Sequence, residues 1–284
     1  MLIAGAVCPH PPLLIPAALG SAATDPPAEL RKVGGAAVQA VSALAGARPD
    51  LIVVVGGGAA EREYGADASG GLHAFGVGVT VGPGEPVLPL SLTVGRWLLE
   101  RAGILPRDEA PDPPAGLAGA GAGILGQAAG IPGEEEDILG EAVNLPGAGT
   151  GPGIAVVFQE VARNAAAGAC LKLGRILADR AARVALLAMG DACARQARED
   201  PDVPDPAAQD YDEEVAEALA AADARWLARL DPALDDELVV AGRAAWQVLA
   251  GAATGTRMRG RLLCMSAPYG VTYLVASWEE CRTD

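Results

Sequence analysis

Apolar residues fall in short continuous runs separated by longer stretches with helical spacing, the alternation expected of repeated βα units. Residues 2–7 predict a buried strand and residues 28–45 a helix. Residues 51–55, Leu-Ile-Val-Val-Val, predict a central strand, because a strand covered on both faces is apolar at every position. Further strands are predicted at 77–81, 154–158, 184–189, 262–265 and 271–277. Helices are predicted at 91–102, with Trp97, Leu98 and Leu99 turned inward, and at 165–182, 212–230 and 233–250. Trp226 and Trp246 sit at helical positions among apolar neighbours and read as packing anchors. The sum is an α/β chain forming one domain over residues 1–284, a three-layer α/β/α sandwich around a central, mostly parallel or mixed sheet.

One segment breaks the rhythm. Residues 106–153 are rich in Gly, Ala and Pro, carry the acidic run Glu134 to Asp137, and show no sustained period, so a mobile flap or disordered loop is expected there. Gly121, Gly123 and Gly126 match the spacing of a dinucleotide fingerprint. No strand precedes them, and Pro132 and Gly133 interrupt the helix that should follow, so the match carries no meaning. A second polar, proline-rich loop is expected at 199–206.

Composition narrows the functional classes. The net charge of −15 argues against nucleic-acid binding, which needs clustered Lys and Arg to neutralise phosphates. The five cysteines are scattered without a Cys-x-x-Cys pair, so a disulfide framework and a zinc site are both unsupported, and a reducing cytoplasm is expected. No basic leader and no long apolar span point to a membrane.

Candidate chemistry concentrates on His10, one of two histidines. It lies in Cys8-Pro9-His10-Pro11-Pro12, a rigid turn at the end of the first strand, where open α/β sheets place their sites. A structural hydrogen-bonding role fits that position as well. The chain has no Walker lysine, no Gly-x-Ser-x-Gly elbow and no His-Glu-x-x-His. The glycines 56–58 fit either an anion-binding turn or close packing against the sheet. Cys8 and Cys193 fall beside His10 and Asp191, as activated thiols or as inert packing residues. Tyr269, in the turn between the last two strands, offers a phenol to a cleft or to local packing.

Several short segments, taken in order, resemble the class III extradiol ring-cleavage dioxygenase superfamily. They are Cys8-Pro9-His10-Pro11-Pro12-Leu13-Leu14, the strand at 51–55, Met189-Gly190-Asp191, Tyr211-Asp212 before a helix, and Ala267-Pro268-Tyr269-Gly270. The chain looks most like an alanine-rich, actinobacterial-type branch, with Memo-type proteins as further relatives. The resemblance implies ring cleavage of catechol-type aromatics by O₂ at Fe(II) and, since members often assemble, a homo-oligomer. By the same resemblance His10 falls where the first metal histidine lies, and His10, Asp191 and Tyr269 are the candidate catalytic residues. The second family histidine corresponds to Gly57, Gly58 and Ala59, and the third to Ala194. An iron site would then need His73 beside His10, with a carboxylate from Asp191, Glu61, Glu63 or Glu160. The alternative is a protein without metal that uses the same cleft as a noncatalytic binding module for a small molecule or a protein.

Overall fold

The computed structural model describes residues 1–107, 153–194 and 205–281. The predicted insert at 106–153 and the loop at 199–206 therefore lie largely outside the described residues.

Four strands form the parallel centre of a seven-stranded sheet: β1 (Leu2–Cys8), β2 (Leu51–Gly58), β7 (Ala155–Ala162) and β8 (Val184–Met189). The order is β3-β7-β2-β8-β1-β10-β9, with β3 (Arg62–Tyr64), β9 (Met258–Ser266) and β10 (Tyr273–Glu280) completing it in antiparallel pairings. Helices cover both faces, giving the three-layer α/β/α sandwich around a mixed sheet. On one side lie α1 (Ala28–Gly46) and α2 (Leu90–Arg101). On the other lie α3 (Ala167–Ala178), α4 (Pro206–Ala221), α5 (Ala224–Leu227), α6 (Pro232–Leu238) and α7 (Arg243–Ala252).

The two cores follow from the period-2 alternation of strand side chains. Val53 and Val55 enter the core under α7, whereas Ile52 and Val54 enter the core under α1 and α2. Each fully buried Val, Leu or Ile contributes about 1.5–3 kcal/mol relative to exposure. This is why the central strands are apolar throughout.

Three expectations are corrected. The region 77–81 is mostly turn, and only Thr80–Val81 forms a strand, β5, in a small sheet with β4 (Ser69–Gly71) and β6 (Pro86–Leu88). Gly76 and Gly82 have positive φ and bend the chain out of extension on both sides. The predicted helix 212–230 instead begins with Pro206 at its first turn, where the Asp205 side chain accepts from the Ala207 amide. It ends at Ala222, which adopts a left-handed φ of 53°, and Asp223 caps a new turn, α5. The predicted helix 233–250 divides in the same way at Val239, with φ 57°, into α6 and α7. Among the described residues, no helix is long and apolar enough to cross a membrane.

Candidate functional site

The parallel strands all end at one edge of the sheet, and the register places Cys8 beside Met189 and Met189 beside Gly56. Beyond these residues the chain leaves the sheet, and the segments that follow lie together at this edge. His10 stands two residues past β1 and Asp191 two past β8. Pro9 and Pro11 keep the first turn from winding into a helix, so His10 stays at the sheet end.

His10 is 5% exposed. Its backbone amide donates to Asp191 Oδ1 at 2.7 Å, and its ring Nδ1 stands 3.6 Å from the same oxygen. That ring distance is too long for a hydrogen bond, and Nδ1 is buried without another partner among the described residues. A buried polar atom in this state is costly, so a small closing movement of the ring or a third group would be stabilising.

Asp191 is fixed from several sides. The Ala241 amide donates to its carbonyl at 3.1 Å, and the Gly190 amide donates to the Cys8 carbonyl at 2.9 Å. Thr272 and the 192–193 segment exchange two further bonds, Ala192 N to Thr272 O and Thr272 N to Cys193 O, each 2.9 Å. This ties the start of β10 to the end of β8 and brings Tyr273 near Asp191. Burial pushes the Tyr273 phenol up to about 12, helped by the negative charge of Asp191 and by Tyr269. Tyr269 itself is 48% exposed in the turn between β9 and β10. His10, Asp191, Tyr269 and Tyr273 thus gather at one edge. Sequence reasoning missed Tyr273; its signal was a phenol opening the last strand just after the Pro-Tyr-Gly turn.

His73 lies elsewhere, exposed in a single helical turn of the small sheet, with its imidazole folded back near Gly71. Ala194 is exposed, and Gly57 and Gly58 carry no donor side chain. The glycines serve packing: a Cβ on Gly56 would stand 2.4 Å from Ser91 Oγ, and one on Gly58 2.1 Å from Glu160 Oε1. The anion-turn alternative is further weakened by Glu160, whose Oε1 accepts from Ala59 and Ala60 at 2.6 and 3.2 Å and whose Oε2 accepts from the Tyr64 hydroxyl at 2.7 Å. A carboxylate already occupies those amides.

Transition-metal sites take at least three protein donors. Among the described residues, no group of three or more His, Cys, Asp or Glu side chains is placed to hold a metal ion. The donor set of the described residues therefore does not fit a mononuclear iron centre, and His10, His73 and a described carboxylate are not assembled into one.

The cysteines beside the cleft are turned away from reactivity. Cys8 packs toward α1, with Sγ 3.8 Å from the Ala37 carbonyl, and burial pushes its thiol up. Burial also raises the Cys193 thiol, and Asp212 raises it further. A thiolate nucleophile needs the opposite shift.

Behind the cleft lies a buried polar network that sequence reasoning did not find. Asp212 Oδ1 accepts from the Cys193 amide at 3.0 Å. The neighbouring Tyr211 hydroxyl donates to Asp235 Oδ1 at 2.5 Å, and Asp235 Oδ2 pairs with Arg243 Nε at 2.7 Å. Arg243 also donates to the carbonyls of Ala165 and Arg163 at 2.8 and 2.6 Å and to Gln247 at 2.9 Å. Burial pushes the Asp235 carboxyl up to about 6, against the opposing pull of Tyr211 and Arg243.

No family model matches this chain, and no curated protein matches it. Among solved structures it is similar to that of the uncharacterized protein JW3007 from Escherichia coli K12, at 16% identity and a TM-score of 0.46, over 98% of this chain and 99% of that one.

Proposed function

We propose that the chain is a noncatalytic binding module on the scaffold of the class III extradiol dioxygenases, holding a small phenolic molecule in the cleft of His10, Asp191, Tyr269 and Tyr273. The observation that carries the reading is the His10–Asp191 pair: a buried imidazole whose Nδ1 faces a carboxylate at 3.6 Å and has no other partner. A ligand hydroxyl can bridge such a pair, donating to the carboxylate while accepting from the ring. The phenols of Tyr269 and Tyr273 add an aromatic edge suited to a ring-shaped ligand.

Ring cleavage, the activity that the resemblance implies, needs an iron centre, and the residues in the two remaining ligand positions are Gly57, Gly58, Ala59 and Ala194. Those side chains cannot donate to iron. A cytoplasmic setting belongs to the same reading, supported by five free cysteines, four of them buried.

Titration calorimetry with catechol tests the proposal, using protein stripped of metal by a chelator. Binding should persist after stripping and weaken about tenfold in His10→Ala, the loss expected for one hydrogen bond of about 1–1.5 kcal/mol. Catechol that binds only when Fe(II) is restored, with O₂ consumed, would establish an iron enzyme instead. Absence of any saturable binding would equally end the proposal.

A further inference from the structure

The opposite edge of the sheet carries a second concavity. α3 and α7 end there, the α4–α5 junction passes beside them, and β9 begins. Between them lies a cavity of about 530 Å³, within the range of small-molecule sites. Its floor is apolar, built from Leu171 and from alanines of α5 and α7 such as Ala224 and Ala250. Its polar lining is dominated by Arg175, Arg225 and Arg257, with the hydroxyls of Thr254 and Thr256 beside them.

The three guanidiniums are exposed, and none is paired with a carboxylate among the described residues. That is unexpected in a chain with 36 acidic and 21 basic residues, where partners are in excess. The carboxylate in the lining, Asp223, accepts from the amides of Arg225 and Trp226 at 3.0 and 2.9 Å as a helix cap. Arg175 lies in the last turn of α3, where a cation offsets the negative end of the helix dipole. A helix end amounts to about half an elementary charge. The ends of α3 and α7 together with Asp223 offset about two of the three positive charges and leave about one in excess.

We infer that this cavity binds a small phosphate monoester, its phosphoryl group held by Arg175, Arg225 and Arg257 and its apolar body resting on the alanine floor. Three guanidiniums arriving from three separate elements suit a tetrahedral group with three terminal oxygens, whereas one arginine fork suffices for a carboxylate. The remaining volume and the apolar floor call for a body beyond the anion itself.

The test is calorimetric titration of the full-length chain with phenyl phosphate at low ionic strength, with inorganic phosphate as a second probe. One site is expected, weakened about tenfold by each of Arg175→Ala, Arg225→Ala and Arg257→Ala. Arg259→Ala, which removes the same charge outside the cavity, should leave affinity unchanged, as should His10→Ala in the distant cleft. Inorganic phosphate should compete but bind about tenfold more weakly or worse, since it leaves the floor uncovered. Thermal melts accompany each titration, and a Gln variant replaces any Ala variant that melts early. The inference fails if phenyl phosphate does not saturate, if Arg259→Ala or His10→Ala weakens it as much as the cavity variants, or if inorganic phosphate binds equally well.

Discussion

Gly174→Ala offers a test in which two physical effects have opposite signs. In a helix interior, Ala is favoured over Gly by about 1 kcal/mol, so propensity alone predicts a more stable protein. The structure predicts the reverse. α3 and α7 cross with their backbones in contact at two glycines: a Cβ on Gly174 would stand 2.0 Å from the Val248 carbonyl oxygen and 2.6 Å from the Ala252 nitrogen. The reciprocal contact is as tight, with a Cβ on Gly251 falling 2.3 Å from the Leu171 carbonyl oxygen. These atoms are backbone and cannot rotate away, so the helices must separate. Overpacking of this kind costs about 1–3 kcal/mol and sometimes more, and the upper end applies because ordinary contact distances are missed by more than an ångström. After subtraction of the propensity gain, Gly174→Ala should be destabilised by about 2 kcal/mol. Gly35→Ala provides the control, because Gly35 lies inside α1 with nothing within 4 Å of its added Cβ, and it should be stabilised by up to about 1 kcal/mol. Urea unfolding of the three proteins, read as midpoint shifts at constant slope, makes the comparison. A Gly174→Ala protein as stable as the parent, or more so, would refute the close helix crossing.

Two further predictions concern buried groups. The folded-state carboxyl of Asp235 lies at about 6, above its ordinary 3.8, so between those values the folded protein binds more protons than the unfolded chain. Asp235 therefore contributes a stability that is greatest at low pH and declines as pH rises through about 6; the urea midpoint of the parent relative to Asp235→Asn should fall from pH 4 to pH 7, and a flat or rising difference would contradict the burial argument. Of the five thiols, Cys281 alone is exposed, so a thiol-specific chromogenic reagent should react rapidly with one thiol per native chain and with five after unfolding; Cys281→Ser should abolish the rapid reaction and leave the other four unchanged, and a fast second thiol would refute the assignment.

Much of the fold was legible because its signals are local. The apolar runs of β2 and β8 and the amphipathic spacing of α1 depend on neighbours in the chain, and their positions were read to within a few residues. The breaks at Ala222 and Val239 were not legible, because alanine and valine do not ordinarily adopt a left-handed backbone and are held there by tertiary structure. The small sheet was missed for a different reason: its strands are two or three residues long, too short to show a period. At the cleft, His10 and Asp191 were visible as residues following strand ends. The union of Tyr211, Asp235 and Arg243 spans three helices and leaves no trace in local pattern.

That network bears on how the His10–Asp191 pair is held in place. A buried ion pair such as Arg243–Asp235 gains little net stability, because the desolvation of both charges offsets their attraction. What it provides is connection. Arg243 binds the carbonyls of Arg163 and Ala165 beyond β7, Asp235 receives Tyr211 from α4, and the adjacent Asp212 holds the Cys193 amide beyond β8. The loop leading into α7 in turn donates the Ala241 amide to the Asp191 carbonyl. The segments 163–165, 190–193 and 235–243 at the carboxyl edge are thereby tied to one another. Asp191 is held at both its backbone and its side chain before any ligand arrives. Because ordering these segments costs conformational entropy that folding has already met, a ligand reaching His10 and Asp191 need supply little beyond its own immobilisation. The position of the His10–Asp191 pair is supported from behind, by hydrogen bonds to the backbone that carries it.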